Sequence, residues 1–467
     1  MIPPAVAREL LERILAGEAR TKADLQRLKL EACRRHRFGK IPSDPDLLAF
    51  ARPEERARLV PFLRIKPTRS LSGVAIVTVQ SSPIFCPHGT CTFCPGGPTR
   101  GTAQSYTGHE PAALRAAQHG FDARGQVENR LHALHATGHP VDKVDAIIQG
   151  GTFPARDEAY QVAFVAGMLE AMNDFSPDDD VGRRDRALGR GAGNGNGSGG
   201  EDGSGSGTGG GLDAWARLRA AQDANEVAAA RMIGLTIETK PDWALPRHCD
   251  LMLDLGATRV EIGAQTLFDD VLAATNRGHT VADTVASFRA AKDAGLKLCA
   301  HVMPGLPGSD AARDLATFRG LFEDPAFRPD MLKVYPTLVV PGTALHRAWQ
   351  RGEFRPLGDA EAAEIVAEAK ALVPPWCRIQ RVDRDIPTPQ IAAGVKRTNL
   401  RELATEALAR RGGRCRCLRC REAGHAARRE GWSAGDGAWE ATATRYEASG
   451  GEEWFLARED RARDAVA

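Results

Sequence analysis

Hydrophobic runs rich in β-branched residues alternate with alanine-rich helical stretches through the middle of the chain. Strands are predicted at residues 74–79, 145–148, 233–237, 259–262, 297–302 and 331–334. Segments between them, such as residues 281–294 and 311–322, place apolar residues at helical spacing. This alternation predicts a parallel sheet with right-handed crossovers. Six units favour a partial (β/α)6 barrel of the α/β class over a closed eight-stranded barrel.

Glycine and polar residues stand at the ends of these predicted strands. They are Gly150, Gly151 and Thr152 after the second strand, Glu238 after the third, Gln265 after the fourth, His301 in the fifth and Tyr335 after the sixth. The carboxyl ends of the strands in a parallel barrel meet at one face. We therefore expect these residues to line one site.

One long segment has a composition that opposes folding. Residues 189–211 contain thirteen glycines in 23 positions, with Ser, Asn, Asp and Glu between them. Such a segment buries too little apolar surface to offset the entropy lost on ordering. The sequence predicts a disordered insertion in the barrel at about residues 177–212.

Composition and charge narrow the functional classes. The chain has 467 residues, 42% hydrophobic and 26% charged, which is typical of two or three globular domains. No apolar run reaches the ~20 residues of a membrane span, and the N-terminus has no signal-peptide pattern, so we predict a cytoplasmic protein.

Lys and Arg exceed Asp and Glu by fourteen to six over residues 20–70, and by eleven to four over residues 396–430. Two basic clusters suggest that the protein binds nucleic acid. The alternative is that both clusters are ordinary solvent-exposed surfaces.

Six of the ten cysteines form two tight triplets. Cys86, Cys91 and Cys94 have the spacing C-x4-C-x2-C, which suits three irons of a [4Fe–4S] cluster and leaves the fourth iron open. The alternative is a zinc knuckle in which His88 is the nearest further ligand.

The second triplet lies in the basic C-terminal cluster. Cys415, Cys417 and Cys420, with His425 five residues on, form a Cys3His set that suits a closed tetrahedral zinc site. Free thiols in a basic helix are the alternative reading.

Nine longer motifs resemble the catalytic subunit of Elongator, a radical S-adenosylmethionine (SAM) enzyme that forms the C5-carboxymethyl group of tRNA uridine. The similarity runs from about residue 20 to residue 460, and the x4 cysteine spacing matches the archaeal and bacterial type. The motifs are CPHGTCTFCPGG, SYTGHEPAALRA, GHPVDKV, GGTF, LTIETKPD, TRVEIGAQT, TNRGHTV, FRPDMLKVYPTLVVPGTAL and RDIPTPQIAAGVKRTNLREL.

The resemblance implies roles for individual residues. Cys86, Cys91 and Cys94 would ligate the cluster, whose open iron takes the amino and carboxylate groups of SAM. The three residues from Gly150 to Thr152 would line the methionine moiety, because glycine backbone permits close approach.

Further residues carry weaker implied roles. Glu238 and Gln265 would contact the ribose or methionine of SAM, or else only line the barrel. Lys143 matches a lysine associated in the family with acetyl-CoA, although an exposed lysine needs no such role. Lys240 stands where the family often has Arg, which removes bidentate geometry. Tyr106 and Tyr335 would lie near the site or in the core.

The resemblance also implies a reaction and partners. SAM and acetyl-CoA would be used to form 5-carboxymethyluridine at the wobble position of a tRNA anticodon loop. An electron donor would be a further partner. The alternatives are a tRNA-binding homologue without catalysis and a radical SAM enzyme for another substrate. A protein lysine acetyltransferase would need a domain that we expect to be largely missing.

Four regions are predicted. Residues 1–70 form a basic helical tRNA-binding segment, residues 71–375 the barrel, and residues 376–430 a linker with the zinc site. Residues 431–467 look like the start of an acetyltransferase-like α/β domain, incomplete because they contain no glycine-rich pyrophosphate loop. Either a homodimer or a partner that supplies the acetyltransferase function fits this organisation.

Overall fold

The computed structural model describes residues 2–177 and 210–467. Residues 178–209, which make up most of the predicted glycine-rich insertion, lie outside the described residues. The central element is a seven-stranded sheet with its strands side by side in chain order. The strands are β1 Ala75–Gln80, β2 Lys143–Gln149, β3 Arg231–Thr239, β4 Arg259–Gln265, β5 Lys297–Val302, β6 Met331–Val334 and β7 Arg378–Val382.

The sheet is parallel, and its register places buried apolar residues beside one another. Ile237 pairs with Val260, and Val260 pairs with Leu298 of the next strand. Leu332 pairs with Ile379 at the far side of the sheet. All five residues are fully buried, so strand order and register are fixed by one continuous apolar layer. The predicted α/β class and parallel sheet are confirmed.

The expected count of six strands is wrong, because β7 adds a seventh at the edge of the sheet. Arg378 and Arg381 stand within this five-residue strand, and most of its residues are only half-buried. An edge strand needs no continuous hydrophobic run, which is why the sequence pattern did not reveal it. The sheet therefore extends into the region assigned to the linker.

Helices separate the strands of this half-barrel and continue on both sides of it along the chain. In chain order they are α1 Pro4–Leu15, α2 Lys22–Arg35, α3 Asp44–Leu48, α4 Pro53–Leu63, α5 Pro111–Gln118, α6 Ala123–Ala136, α7 Glu158–Asn173, α8 Gly210–Asn225, α9 Pro246–Asp254, α10 Asp269–Ala274, α11 Val281–Asp293, α12 Ala311–Glu323, α13 Ala344–Gln350, α14 Asp359–Leu372, α15 Leu400–Arg410, α16 Leu418–Arg421 and α17 Ala423–Glu430.

The chain divides into two compact units. The first comprises Met1–Val77, Arg124–Asp145 and Ala166–Ile233, and the second comprises Thr78–Ala123, Ala146–Val165 and Gly234–Ala467. No helix among the described residues combines the length and the apolar character that crossing a membrane requires.

Helices α1 to α4 of the first unit pack around their own apolar core. Helix α1 buries Val6, Leu10 and Ile14, four positions apart, against this core, which is the repeat expected of an amphipathic helix. Thr21 caps α2, because its side chain accepts the Asp24 N–H while the Asp24 carboxylate accepts the Thr21 N–H. The buried ammonium of Lys29 lies 2.6 Å from Oδ1 of Asp44, which joins α2 to α3.

The second unit ends in a small antiparallel sheet of order β10-β9-β8, formed by β8 Glu440–Ala448, β9 Gly451–Asp460 and β10 Ala465–Val466. The β8–β9 turn holds Ser449 and Gly450 at φ +52° and +81°, as a tight two-residue hairpin requires. Tyr446 of β8 stacks on Trp376 with ring centroids 4.1 Å apart. The hairpin thus packs on its own unit.

Candidate functional site

The loop after β1 carries Cys86, Cys91 and Cys94, all of them buried. Gly89 donates its N–H to the Cys86 carbonyl at 2.8 Å and adopts φ +92°, so a glycine is required at this turn. The Gln104 amide fastens the loop. Its oxygen accepts the Cys86 N–H and its nitrogen donates to the Gly89 carbonyl at 3.2 Å.

All three sulfur atoms accept hydrogen bonds from separate donors. The Thr152 hydroxyl donates to Cys86 Sγ at 3.4 Å, and the Ser105 N–H donates to Cys94 Sγ at 3.0 Å. Hydrogen bonds to sulfur stabilise the thiolate form that ligates iron. Thr152 is the third residue of the predicted Gly150–Gly151–Thr152 motif, so the structure brings this motif to the cysteine loop.

Cys91 lies among basic side chains. Nη1 of Arg277 is 3.5 Å from Cys91 Sγ, and Nε2 of His88 is 3.3 Å from it. The other ring nitrogen of His88 is 3.0 Å from the buried Lys240 ammonium. Burial and the Lys240 charge lower the pKa of His88 to about 4, so its imidazole is neutral at pH 7. Arg277 and Lys240 therefore supply positive charge on one side of the loop.

The donor set fits a cluster better than a single ion. Burial raises the pKa of Cys94 to about 11 and also raises that of Cys86, so these thiols need a bound metal to stay ionised. Among the described residues, the sets of three ligand atoms within 4.8 Å of one another do not include this loop. Three ligands of three different irons stand further apart than three ligands of one zinc ion.

Gly150 and Gly151, the two glycines after β2, place backbone without side chains beside the cysteine loop. A Cβ on Gly150 would lie 2.3 Å from Ser81 Oγ, and a Cβ on Gly151 would lie 3.3 Å from Cys86 Sγ. Their φ angles are +137° and +79°, which side chains rarely adopt. Glycine is therefore required at both positions, for space and for backbone conformation.

Gln265 ends β4 in a strained backbone conformation. It is 8% exposed, its φ is +69°, and its side-chain oxygen has no partner within the described residues. Arg277 donates to the carbonyl of neighbouring Gly263 at 2.8 Å. An unsatisfied buried oxygen on a strained residue at a strand end is typical of a ligand contact.

Glu238 ends β3 within a polar cluster. Its carboxylate accepts the Tyr106 hydroxyl at 2.7 Å and the Gln149 amide at 3.1 Å. Burial raises the pKa of Glu238, and the Lys333 ammonium 3.9 Å away opposes that shift. Tyr106, which the sequence placed either near the site or in the core, therefore lies at the strand ends.

Glu261 and Lys333, which were not predicted from the sequence, lie beside this cluster. Lys333 of β6 and Nε2 of His301 both contact Oε2 of Glu261, the latter at 3.0 Å. Burial opposes the charge of Glu261, but Lys333 and His301 hold its pKa well below the usual range. The signal that could have revealed the cluster is a charged residue between apolar neighbours in each of two strands, Glu261 in β4 and Lys333 in β6.

The remaining predicted residues lie elsewhere. Lys143 is the first residue of β2 and is exposed.

The sulfur atoms of Cys415, Cys417 and Cys420 lie within 4.8 Å of one another, close enough to share one metal ion. His425 is not part of that group, and its Nε2 lies 3.9 Å from a Glu422 oxygen.

Buried cations accompany this second triplet. The Lys370 ammonium, fully buried, lies 4.0 Å from Cys420 Sγ. Arg401 donates to the carbonyl of Ile379 at 2.9 Å. Burial lowers the pKa of Arg401, and the nearby cysteines oppose that shift. Positive charge beside three sulfurs favours their thiolate form, which zinc requires.

Family models match three parts of the chain. The ELP3 N-terminal domain matches residues 5–71, the Radical SAM superfamily matches residues 198–318, and the Radical_SAM C-terminal domain matches residues 329–410.

Individual proteins match nearly the whole chain. The tRNA uridine(34) acetyltransferase of Methanocaldococcus jannaschii is 42% identical over 98% of this chain and 79% of its own length. Human Elongator complex protein 3 is 37% identical over 99% of this chain and 78% of its own length. The solved structure of Methanocaldococcus infernus Elp3 with an N-terminal deletion has a TM-score of 0.66 and 36% identity, covering 84% of this chain and 76% of that one. The expectation that an acetyltransferase domain is missing finds no support in these similarities.

Proposed function

Because the chain belongs to the family of Elongator complex protein 3 and the archaeal tRNA uridine(34) acetyltransferases, we propose that it forms 5-carboxymethyluridine at the wobble position of tRNA. SAM and acetyl-CoA are the co-substrates, and the tRNA anticodon loop is the target. The radical SAM superfamily implies a [4Fe–4S] cluster and SAM. The acetyltransferase names of the relatives fit the use of acetyl-CoA.

The observation that carries this proposal is the arrangement around Cys86. Its sulfur accepts a hydrogen bond from Thr152 and faces the bare backbone of Gly151. One loop thus carries three buried thiols beside backbone that bears no side chains. When bound, a [4Fe–4S] cluster supplies the electron that cleaves SAM into methionine and a radical able to attack an unreactive C–H bond.

The chain's own residues bind and orient the reactants. The Gly150–Gly151–Thr152 backbone lines the methionine part of SAM, and the unsatisfied oxygen of Gln265 accepts a hydrogen bond from its ribose or amino group. Glu238 is held by Tyr106 and Gln149 and faces the same reactant. Lys143 contributes to acetyl-CoA binding.

The first unit offers a basic surface for tRNA. Arg34, Arg37 and Lys40 are exposed at the carboxyl end of α2 and just beyond it. Side chains of this kind neutralise phosphates and release counterions, which makes binding strongly salt-dependent. We place tRNA phosphates on this surface, and we assign Cys415, Cys417 and Cys420 to a structural zinc ion.

The direct test measures two products in one reaction. Anaerobically reconstituted protein is incubated with reductant, SAM, acetyl-CoA and tRNA, and 5′-deoxyadenosine and modified wobble uridine are quantified by mass spectrometry. We expect both products from the wild type and neither from Cys94→Ala. Cys249→Ala, a buried cysteine outside both triplets, is the matched control and should retain both.

Other outcomes would redirect the assignment. Formation of 5′-deoxyadenosine with unmodified uridine would indicate a radical SAM enzyme for another substrate. Absence of both products from protein that contains a full cluster would indicate a tRNA-binding homologue without catalysis.

A further inference from the structure

His301 and Glu261 form a hydrogen-bonded pair on neighbouring strands. Glu261 pairs in register with Cys299, so His301, two residues on, projects from the same face of β5. Nε2 of His301 is 3.0 Å from Oε2 of Glu261. The Glu261 side chain has 0% exposure and that of His301 has 12%. The imidazole therefore lies between a buried carboxylate and the accessible part of the barrel.

The charge on Glu261 fixes the tautomer of this histidine. Lys333 donates to the same carboxylate oxygen and favours its ionised form, so Oε2 can only accept hydrogen bonds. Nε2 must then carry the proton in that contact, and Nδ1 bears the free lone pair. Nδ1 has no hydrogen-bond partner within residues 2–177 and 210–467. A carboxylate–histidine pair with one free ring nitrogen is the arrangement of a general base.

The groups around His301 contact Nε2 and the ring face and leave Nδ1 available. On β6 and just after it, Lys333 offsets the charge of Glu261, and Tyr335 packs edge-on against the imidazole at a centroid distance of 5.4 Å. On β3, Glu238 lies 3.9 Å from the Lys333 ammonium. Cys299, two residues before His301, is fully buried. The Lys333 ammonium supplies a positive charge beside the Glu261 carboxylate.

We propose that the Glu261–His301 pair is the general base of this site, with Nδ1 of His301 accepting the proton that uracil loses from C5. The inference rests on the proposed function. When a carbon radical adds to C5, the ring keeps the C5–H bond and holds an unpaired electron. Restoring the 5,6 double bond breaks that C–H bond and forms an N–H bond at Nδ1. The electron passes to a one-electron acceptor of the iron–sulfur class.

Glu261 and Lys333 act through His301 and are positioning residues. Glu261 holds the ring in the tautomer with a free Nδ1, and Lys333 keeps Glu261 ionised. Glu261→Gln can donate as well as accept, so it removes the preference for one tautomer. Lys333→Met leaves the carboxylate buried without its cation, which favours its protonated form.

The first experiment measures the ratio of modified uridine to 5′-deoxyadenosine under the conditions of the direct test. His301→Gln should lower this ratio by ~10²-fold or more, the usual contribution of a general base, while 5′-deoxyadenosine still forms. His346→Gln, a histidine on α13, is the matched control and should keep the wild-type ratio.

The second experiment needs neither cofactor nor substrate. Nitrogen NMR of ¹⁵N-histidine-labelled protein identifies the His301 signals by their loss in His301→Gln. We expect the Nε2–H tautomer in the wild type and a mixture in Glu261→Gln. An Nδ1–H tautomer in the wild type would overturn the inference even if His301→Gln does not fold.

The two proposals fail in different ways. Wild-type protein that yields no 5′-deoxyadenosine contradicts the proposed function. Wild-type protein that modifies uridine, together with an active His301→Gln of unchanged product ratio, contradicts only the general-base assignment.

Discussion

The guanidinium of Arg277 lies against the sulfur of Cys91, with Nη1 3.5 Å from Sγ. Its Nη2 donates to the Gly263 carbonyl at 2.8 Å, so one buried side chain joins the cysteine loop to strand β4. A positive charge in this position stabilises electron density on a cluster held by Cys91, because charge interactions are strong in a buried setting.

Replacement of Arg277 should change the reduction potential of the cluster. Arg277→Met removes one positive charge, so adding an electron becomes harder and the potential falls, by ~60 mV for each 1.4 kcal/mol of lost interaction. Arg277→Lys keeps the charge, loses the second hydrogen bond and should shift the potential less. Redox titration followed by electron paramagnetic resonance measures both. Equal potentials in all three proteins would show that Arg277 does not act on the cluster.

Gly151→Ala should impair the cluster rather than the fold alone. The added methyl would lie 3.3 Å from Cys86 Sγ on a backbone at φ +79°. The backbone strain alone costs about 1–2 kcal/mol. Gly295→Ala is the matched control, since Gly295 has φ +72° and nothing within 4 Å of its added methyl. We expect both variants to lose a similar amount of unfolding free energy, but only Gly151→Ala to contain less iron. Equal iron contents in the two variants would show that Gly151 does not affect cluster binding.

The second cysteine triplet should bind one zinc ion. Metal analysis of Cys417→Ser should show zinc lost, with a lower melting temperature, because structural zinc contributes folding free energy directly. Lys370→Met should weaken zinc binding by ~10-fold, as loss of a supporting group around a metal site does. Cys33→Ala, outside both triplets, should keep its zinc. Full zinc in Cys417→Ser would refute the site, and zinc loss in His425→Ala would assign the fourth ligand.

Protonation of Asp314 should raise the free energy of unfolding as the pH falls from 6 to 4. Burial raises the pKa of Asp314 to about 6, although Ser309 Oγ and the Gly305 N–H both donate to its carboxylate. The native state therefore binds this proton at a pH where the unfolded chain does not, and protonation favours folding. A shift of this size corresponds to about 2–3 kcal/mol.

Denaturant unfolding at several pH values checks this prediction. The difference in unfolding free energy between the wild type and Asp314→Asn should grow in favour of the wild type from pH 7 to pH 4. Asp293→Asn, at an exposed aspartate, controls for the loss of one carboxylate. A difference that does not vary with pH would mean that Asp314 is not protonated in the native state.

The features that could be predicted from sequence are those that depend on neighbouring residues. Alternating strands and helices predicted the parallel sheet, because each buried strand of such a sheet is an apolar run. The cysteine spacing and the Gly150–Gly151 pair could be recognised because they lie on short continuous segments. Their cofactor roles stay predictions.

The features that were missed depend on distant parts of the chain. Arg277 and Cys91 are 186 positions apart, and Lys333 and Glu261 are 72 apart, so only the fold brings them together. Strand β7 lacked a hydrophobic run because one edge of it is unpaired. Spacing alone suggested His425 as a ligand, whereas the direction of a side chain at a helix start depends on packing.

The proposed reaction requires that Cys86, Cys91 and Cys94 hold a [4Fe–4S] cluster with one iron open to SAM. The most direct measurement is the electron paramagnetic resonance spectrum of the reduced, anaerobically reconstituted protein, recorded with and without SAM and accompanied by iron and sulfide analysis. We predict about four irons and four sulfides per chain at this loop, and a signal that changes when SAM is added. Zinc in place of iron, or a cluster signal that SAM leaves unchanged, would contradict the account.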